Sequence, residues 1–236
     1  MEFTGERVVE GKTPQRIWAD HTDRYEFASK HVRGKTVLDI ACGTGYGCRI
    51  LHDKGKAKKV IGIDIQKDAI NFARTKYEMN GIEFKVGDAL RIDFPKNYFD
   101  VIVSFETIEH VKSPKKMISE FLRVLKTDGL LIISSPNRKL TSPDKSIEDQ
   151  PDNPYHIREY SSKEFISVIG SYFEILEIYG QRAKNKLLFL PFFGKILRFC
   201  FPLLYDPGTG SSKLKRVRSM KEYRYFIVVC KKPRSR

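Results

Sequence analysis

Cysteine is sparse in this 236-residue chain, and the spacing of the four present offers no motif. Cys42, Cys48, Cys200 and Cys230 show neither a C-x-x-C unit nor zinc-like spacing. That excludes a disulfide framework or a zinc ribbon and fits small buried thiols in a reducing compartment. No apolar h-region follows the first residues, so no secretory leader is expected. An unbroken membrane span is missing too. Leu187–Tyr205 is strongly apolar, but Lys195 and Arg198 lie inside it and Pro191 and Pro202 break it. No internal repeat is present. Acidic residues are outnumbered, 29 against 43 basic, for a formal charge of +14. The imbalance is local. From Arg182 onward there are 15 Lys and Arg against Asp206 and Glu222, or +13, and the first 181 residues carry only +1. A field polarised in this way points to an anionic partner on one face.

What is present centres on Val37-Leu38-Asp39-Ile40-Ala41-Cys42-Gly43-Thr44-Gly45-Tyr46-Gly47. An apolar run without a polar face reads as a buried parallel strand. The glycines that follow permit a tight turn into a helix and close approach of a ligand. Alone, this could be an ordinary turn, and its spacing is not the dinucleotide pattern G-x-G-x-x-G. Two further strands add weight. Lys59–Asp64 and Phe84–Asp88 are apolar runs that also end in an acid. A carboxylate ending the second strand can accept both hydroxyls of a ribose.

The remaining elements follow from periodicity and punctuation. Helices are expected after Thr13-Pro14, over Tyr46–Lys54, over Asp68–Asn80 and from Pro114 to Lys126. Strands are expected at Tyr98–Phe105, Leu130–Ser134, Phe173–Tyr179 and Tyr223–Cys230. Pro136–Pro154 reads as a loop over the strand ends, and Ser161 with Glu164 as a capping box. The alternation predicts an α/β fold with a doubly wound, seven-stranded, mostly parallel sheet and a late antiparallel strand. One domain spans 1–236: an N-terminal cap segment (1–32), a core (33–180), an apolar and basic insertion (181–220) and a last strand with a basic tail (221–236).

With three strands each ending in Asp, residues 33–180 resemble the Rossmann-like class I S-adenosylmethionine (SAM) dependent methyltransferases. That resemblance implies SAM as cofactor. Gly43, Gly45 and Gly47 would line its methionine moiety, with Asp39 near the ammonium. Asp64 would hold the ribose, Ile65 would pack on the adenine, and Asp88 with the Ala89 amide would read the adenine edge. Ser104 ends the fourth strand at the same sheet edge.

That strand runs into Glu106-Thr107-Ile108-Glu109-His110, and a polar loop downstream adds His156. Two carboxylates and two imidazoles suit a divalent metal such as magnesium, which could lower the pKa of an acceptor hydroxyl. The Glu-x-x-Glu-His pattern resembles that of ubiquinone-pathway and small-RNA 2′-O-methyltransferases, where it carries metal; it also occurs in relatives not known to need one. Two chemistries stay open: a metal on Glu106, Glu109, His110 and His156, or a histidine base, His110 or His156, acting without one.

Phe3–Val9, His21-x-x-Arg24-Tyr25 and Asn153-Pro154-Tyr155-His156 resemble microbial methyltransferases of glycan and surface-polysaccharide pathways. By that resemblance Arg24 and Tyr25 would close over the methionine end of SAM. The expected reaction is O-methylation of a glycan hydroxyl, the glycan free or lipid-linked, with the enzyme in the cytoplasm or peripheral at the inner membrane face. The absence of an Asn-Pro-Pro-Tyr or Asp-Pro-Pro-Tyr motif argues against amide or base N-methylation. The insertion between basic clusters fits an anionic membrane surface, a lid, or a homodimer interface. RNA 2′-O-methylation and methylation of a quinone or other lipid-like hydroxyl are the competing readings; a basic region interleaved with apolar residues makes nucleic acid the weaker partner.

Overall fold

The computed structural model describes residues 2, 7–183, 212–217 and 222–233. The apolar stretch 187–205, residues 3–6 of the N-terminal motif and the last three residues lie outside them.

The strands are β1 (Thr36–Ile40), β2 (Lys59–Asp64), β3 (Ile82–Val86), β4 (Phe99–Ser104), β5 (Leu125–Pro136), β6 (Glu174–Ala183), β7 (Lys215–Arg216) and β8 (Tyr223–Lys231). They form one sheet in the order β3-β2-β1-β4-β5-β8-β6-β7. The pairs from β3 to β5 are parallel, and those made by β8 and β7 are antiparallel. The sheet thus has eight strands rather than seven. The extra one, β7, is two residues long and pairs at Tyr179 and Gly180 of β6.

Side chains alternate across the sheet, as the two-residue period of a strand requires. Val37, Val60, Val101 and Ile132 join one buried cluster. Leu38, Ile61, Ile102 and Leu131 join the other. Helices α1 (Gln15–Ser29), α2 (Tyr46–Asp53) and α3 (Lys67–Tyr77) cover the first face. Helices α4 (Pro114–Val124) and α6 (Ser162–Gly170) cover the second. Both faces of β1, β2 and β4 are therefore dry, which is why those strands read as continuous apolar runs, whereas the edge strand β3 leaves Lys85 and Val86 exposed.

Several boundaries move from their expected places. Helix α4 stops at Val124 because Leu125 turns extended and pairs with Phe99, so β5 begins five residues before Leu130. A register shift and Asp128 at φ +62° absorb the Asp128-Gly129 turn within the strand. Helix α3 ends at Tyr77, after which Met79 bridges back to Ile82. The polar loop contains a short helix, α5 (Arg138–Thr141), capped by Asn137. The Ser161–Glu164 capping box is formed in full.

Strand order reverses between β1 and β4. In open α/β sheets the crevice at the carboxyl ends beside such a reversal is where ligands bind. A cavity of about 1030 Å³ opens there.

Candidate active site

The cavity runs across the strand tips, and its two ends differ in chemistry. At the β1–β3 end, Gly43, Asp64, Ile65, Asp88 and Ala89 all line the wall. The Gly43 amide donates to Asp64 Oδ2 at 2.8 Å and the Gln66 amide to Oδ1 at 2.8 Å, which fixes the carboxylate at the rim. Ile65 beside it is 66% exposed, an apolar surface left for a flat ligand. The Leu90 amide donates to Asp88 Oδ1 at 2.8 Å and orders the next rim.

The other glycines of the loop sit behind the wall. Gly45 caps α2 at φ +86°, and a Cβ there would fall 2.7 Å from Ala73 Cβ. A Cβ on Gly47 would fall 2.1 Å from the Tyr25 ring. Gly45 lets the loop pack against α3 and Gly47 lets α2 pack against α1, and only Gly43 of the three faces the cavity. Asp39 and Ser104 are fully buried and do not line it either. The Tyr25 hydroxyl donates to Asp39 Oδ1 at 3.1 Å, and the Cys48 thiol lies 3.2 Å from Oδ2. Burial pushes the Asp39 carboxyl up to about 7, against the lowering effect of those two bonds. Tyr25 lines the cavity directly.

Several wall residues had been given no place at the site by the sequence. Val8 lies over the loop, its carbonyl accepting from Thr44 Oγ1 at 2.8 Å, and Ile17 and His21 of α1 line the wall near Tyr25. Burial and the Arg24 charge hold the His21 imidazole well below its ordinary pKa. The spacing of Ile17, His21 and Tyr25 on one helical face was the available signal.

At the β4–β5–β8 end, the Glu109, His110 and His156 side chains converge, with one ligand atom from each within 4.8 Å of the others. Their rings and carboxylate come from a 3-10 turn after β4 (Ile108–His110) and from the 137–160 loop. The turn and loop are stitched together where the Ile157 and Arg158 amides donate to the Glu109 carbonyl. The His110 and His156 rings stand edge to face, 4.8 Å apart. His110 Nδ1 is 3.0 Å from the Tyr155 carbonyl, which can only accept. Nδ1 therefore carries the hydrogen, and in the neutral ring Nε2 keeps its lone pair. His156 Nδ1 is 2.6 Å from Glu159 Oε1, and its Nε2 is 2.9 Å from the Asn153 amide nitrogen.

Glu159 itself was not anticipated. It also accepts from Thr141 Oγ1 at 2.5 Å and Ser142 Oγ at 2.8 Å. Burial works to raise its pKa, but these bonds and His156 leave it below the usual carboxylate range. Glu109 is the opposite case. Both its carboxylate oxygens are buried without a protein hydrogen-bond partner among the described residues. Burial, then the charges of Glu106 and Glu159, push its carboxyl well above the ordinary value. A buried carboxylate with open oxygens beside two imidazoles fits a divalent cation. Glu106 lies apart from the trio. It sits at φ +48°, and its Oε1 accepts from Ser134 Oγ at 2.6 Å.

The comparisons with known proteins agree with this architecture. A family profile described as "Methyltransferase domain" matches residues 31–184. The chain belongs to the SAM-dependent methyltransferase family. A probable SAM-dependent methyltransferase of Mycolicibacterium smegmatis is 31% identical to this methyltransferase over 79% of the chain and 68% of its own length. A probable SAM-dependent methyltransferase of Mycobacterium tuberculosis is also 31% identical, over 72% of the chain and 60% of its own length. A ubiquinone biosynthesis O-methyltransferase of Glaesserella parasuis is 39% identical over 44% of the chain and 47% of its own. The chain therefore spans about three fifths to two thirds of the first two and under half of the third. Among solved structures, the PH0226 protein of Pyrococcus horikoshii superposes with a TM-score of 0.64 at 20% identity. That match covers 93% of this chain and 92% of that one, and it shows the shared fold. SAM is accordingly the methyltransferase's cofactor, and the cavity-lining Gly43, Asp64, Ile65 and Asp88 are residues that could hold it.

Proposed function

We propose that this methyltransferase transfers the methyl group of SAM to a hydroxyl of a glycan, one carried on a lipid, with His110 as the general base. SAM supplies an electrophilic methyl group on its sulfonium. The chain's part is to orient the acceptor, shield it from water and remove its proton. His110 carries the reading: its ring lines the cavity, and the Tyr155 carbonyl fixes the tautomer that leaves Nε2 able to accept a proton. On methyl transfer the acceptor hydroxyl would give its proton to His110 Nε2, while the sulfonium sulfur, losing its methyl group, would become a neutral thioether. Tyr155 and Ile157, both exposed at this end of the cavity, give it an apolar lip suited to a lipid-linked acceptor. The relative named for ubiquinone biosynthesis, an O-methyltransferase, supports an oxygen nucleophile.

A divalent ion is a second reading, favoured by the open oxygens of Glu109. Glu109, His110 and His156 would hold it, and the ion would polarise the acceptor hydroxyl. Formation of S-adenosylhomocysteine, measured with lipid-linked and free glycans, fatty acids and quinols as acceptors, tests both. His110→Ala is expected to lower turnover by roughly 10²–10⁴-fold while S-adenosylhomocysteine still binds. Turnover within a few-fold of wild type would remove the base. Full activity in chelator would remove the metal, and turnover of quinols alone would remove the glycan.

A further inference from the structure

The resemblance puts Arg24 and Tyr25 of helix α1 over the methionine end of SAM, yet the structure engages their polar groups elsewhere. Arg24 is 1% exposed and does not line the cavity, and its Nη1 donates to Gln181 Oε1 at 2.7 Å. The Tyr25 ring lines the wall, but its hydroxyl is given to Asp39 Oδ1. The polar side chain that α1 does present to the cavity is His21. It sits one turn before Tyr25 on the face that Ile17 shares, and all three line the wall. Tyr25 fixes where that face lies. Its ring stands edge-on to Tyr46 of α2 at 5.5 Å and to Phe105, the residue after β4, at 5.1 Å. The face therefore overhangs the crevice between β1 and β4, with His21 about 6 Å nearer the helix start.

His21 is exposed only in part, and no hydrogen bond holds its ring nitrogens among the described residues. Burial, then the Arg24 charge, keep the imidazole uncharged at neutral pH. A neutral imidazole has one N–H to give. The same nearby charge that opposes its protonation favours an anion over a cation as its partner. The methionine end of SAM carries one of each, a carboxylate and an ammonium, and a carboxylate that leaves water needs a donor. Arg7 and Arg224, the guanidiniums on the wall, already have partners.

We propose that His21, rather than Arg24, binds the carboxylate of SAM, donating to it from the ring N–H. The assignment concerns the cofactor and holds for any acceptor. Calorimetry on the full chain without acceptor tests it with two ligands, S-adenosylhomocysteine and its analogue lacking the carboxylate. His21→Leu fills much of the same space without an N–H. It is expected to bind S-adenosylhomocysteine roughly tenfold more weakly, and His21→Gln, which keeps a donor amide, within about threefold of wild type. Wild type and His21→Leu are expected to bind the decarboxylated analogue alike, which also shows that the variant's site is folded. In wild type, the nitrogen resonances of the His21 ring should move further with S-adenosylhomocysteine than with the analogue. Unchanged S-adenosylhomocysteine affinity in His21→Leu would overturn the proposal. An equal loss for both ligands would overturn it too and make His21 a packing residue of the wall. Lower turnover at unchanged cofactor affinity would give His21 to the acceptor instead. Failure of wild type to bind S-adenosylhomocysteine would overturn the proposal together with the cofactor's place in this cavity.

Discussion

Asp39 is the next-to-last residue of β1, in the motif that first points to the cofactor, yet its carboxylate faces Tyr25 and Cys48 rather than the cavity. Its titration follows from that burial. The group starts near 3.8 in a solvated chain and stands at about 7 in the fold. Between those values the folded state keeps a proton that the unfolded state releases, so stability falls as pH rises through this window. The loss is about 4 kcal/mol at most if the whole shift is expressed. Asp39→Asn removes the titration. Urea unfolding of wild type and variant at pH 4.5 and pH 7.5 should show wild type losing several kcal/mol relative to Asp39→Asn. A pH-independent difference would mean that Asp39 is ionised throughout. An acid at or near each strand tip was legible because a buried apolar run and its end are local features, although only Asp64 is its strand's last residue: Ile40 follows Asp39 in β1, and Asp88 lies two residues past β3. The direction of Asp39 was not, because Tyr25 enters from a helix 14 residues earlier in the chain.

Elements legible in the sequence are those whose period is local, such as β1, β2, β4 and α6 with its capping box. Those that missed depend on distant partners. β7 exists only by pairing with β6, and the early start of β5 depends on Phe99. The 137–160 loop is the largest such case, since a polar stretch has no period to read. Its organiser is Arg138, 4% exposed, which donates to both oxygens of Glu164 at 2.7 and 2.6 Å and to the Lys145 and Glu159 carbonyls. That clamp holds Glu159, and through it the His156 ring, beside His110. The residue types of His110 and His156 had marked them as ligands of one site, but their spacing carried no account of what would bring the rings together. Arg138→Met keeps the stem and removes the fork. Hydrogen exchange should then quicken across the loop while β1 to β3 stay protected. Turnover should fall roughly tenfold with S-adenosylhomocysteine affinity within twofold, the signature expected when a positioning group is displaced by about an ångström. Unchanged exchange in the loop would show that the clamp is dispensable.

Charge is a property of the whole molecule, and here it is divided. The first 181 residues are nearly neutral, while the remainder carries +13 around the apolar stretch 187–205. Among the described residues no helix is long and apolar enough to cross a membrane. An apolar stretch bracketed by basic clusters gains from an anionic surface in two ways, by burying its side chains and by roughly 1 kcal/mol for each basic residue close to the headgroups. We expect the full chain to co-sediment with vesicles containing phosphatidylglycerol and not with vesicles of phosphatidylcholine alone. High salt should weaken binding without abolishing it, because screening removes only the charge contribution. A variant lacking 187–205 should lose most of the binding while still taking up S-adenosylhomocysteine, which confirms that its core is folded. Equal sedimentation of that variant and the full chain would remove the membrane from the proposal. Salt-sensitive RNA binding without vesicle binding would transfer the basic quarter to nucleic acid, because phosphate backbones reward the same cations and make no use of the apolar stretch between them.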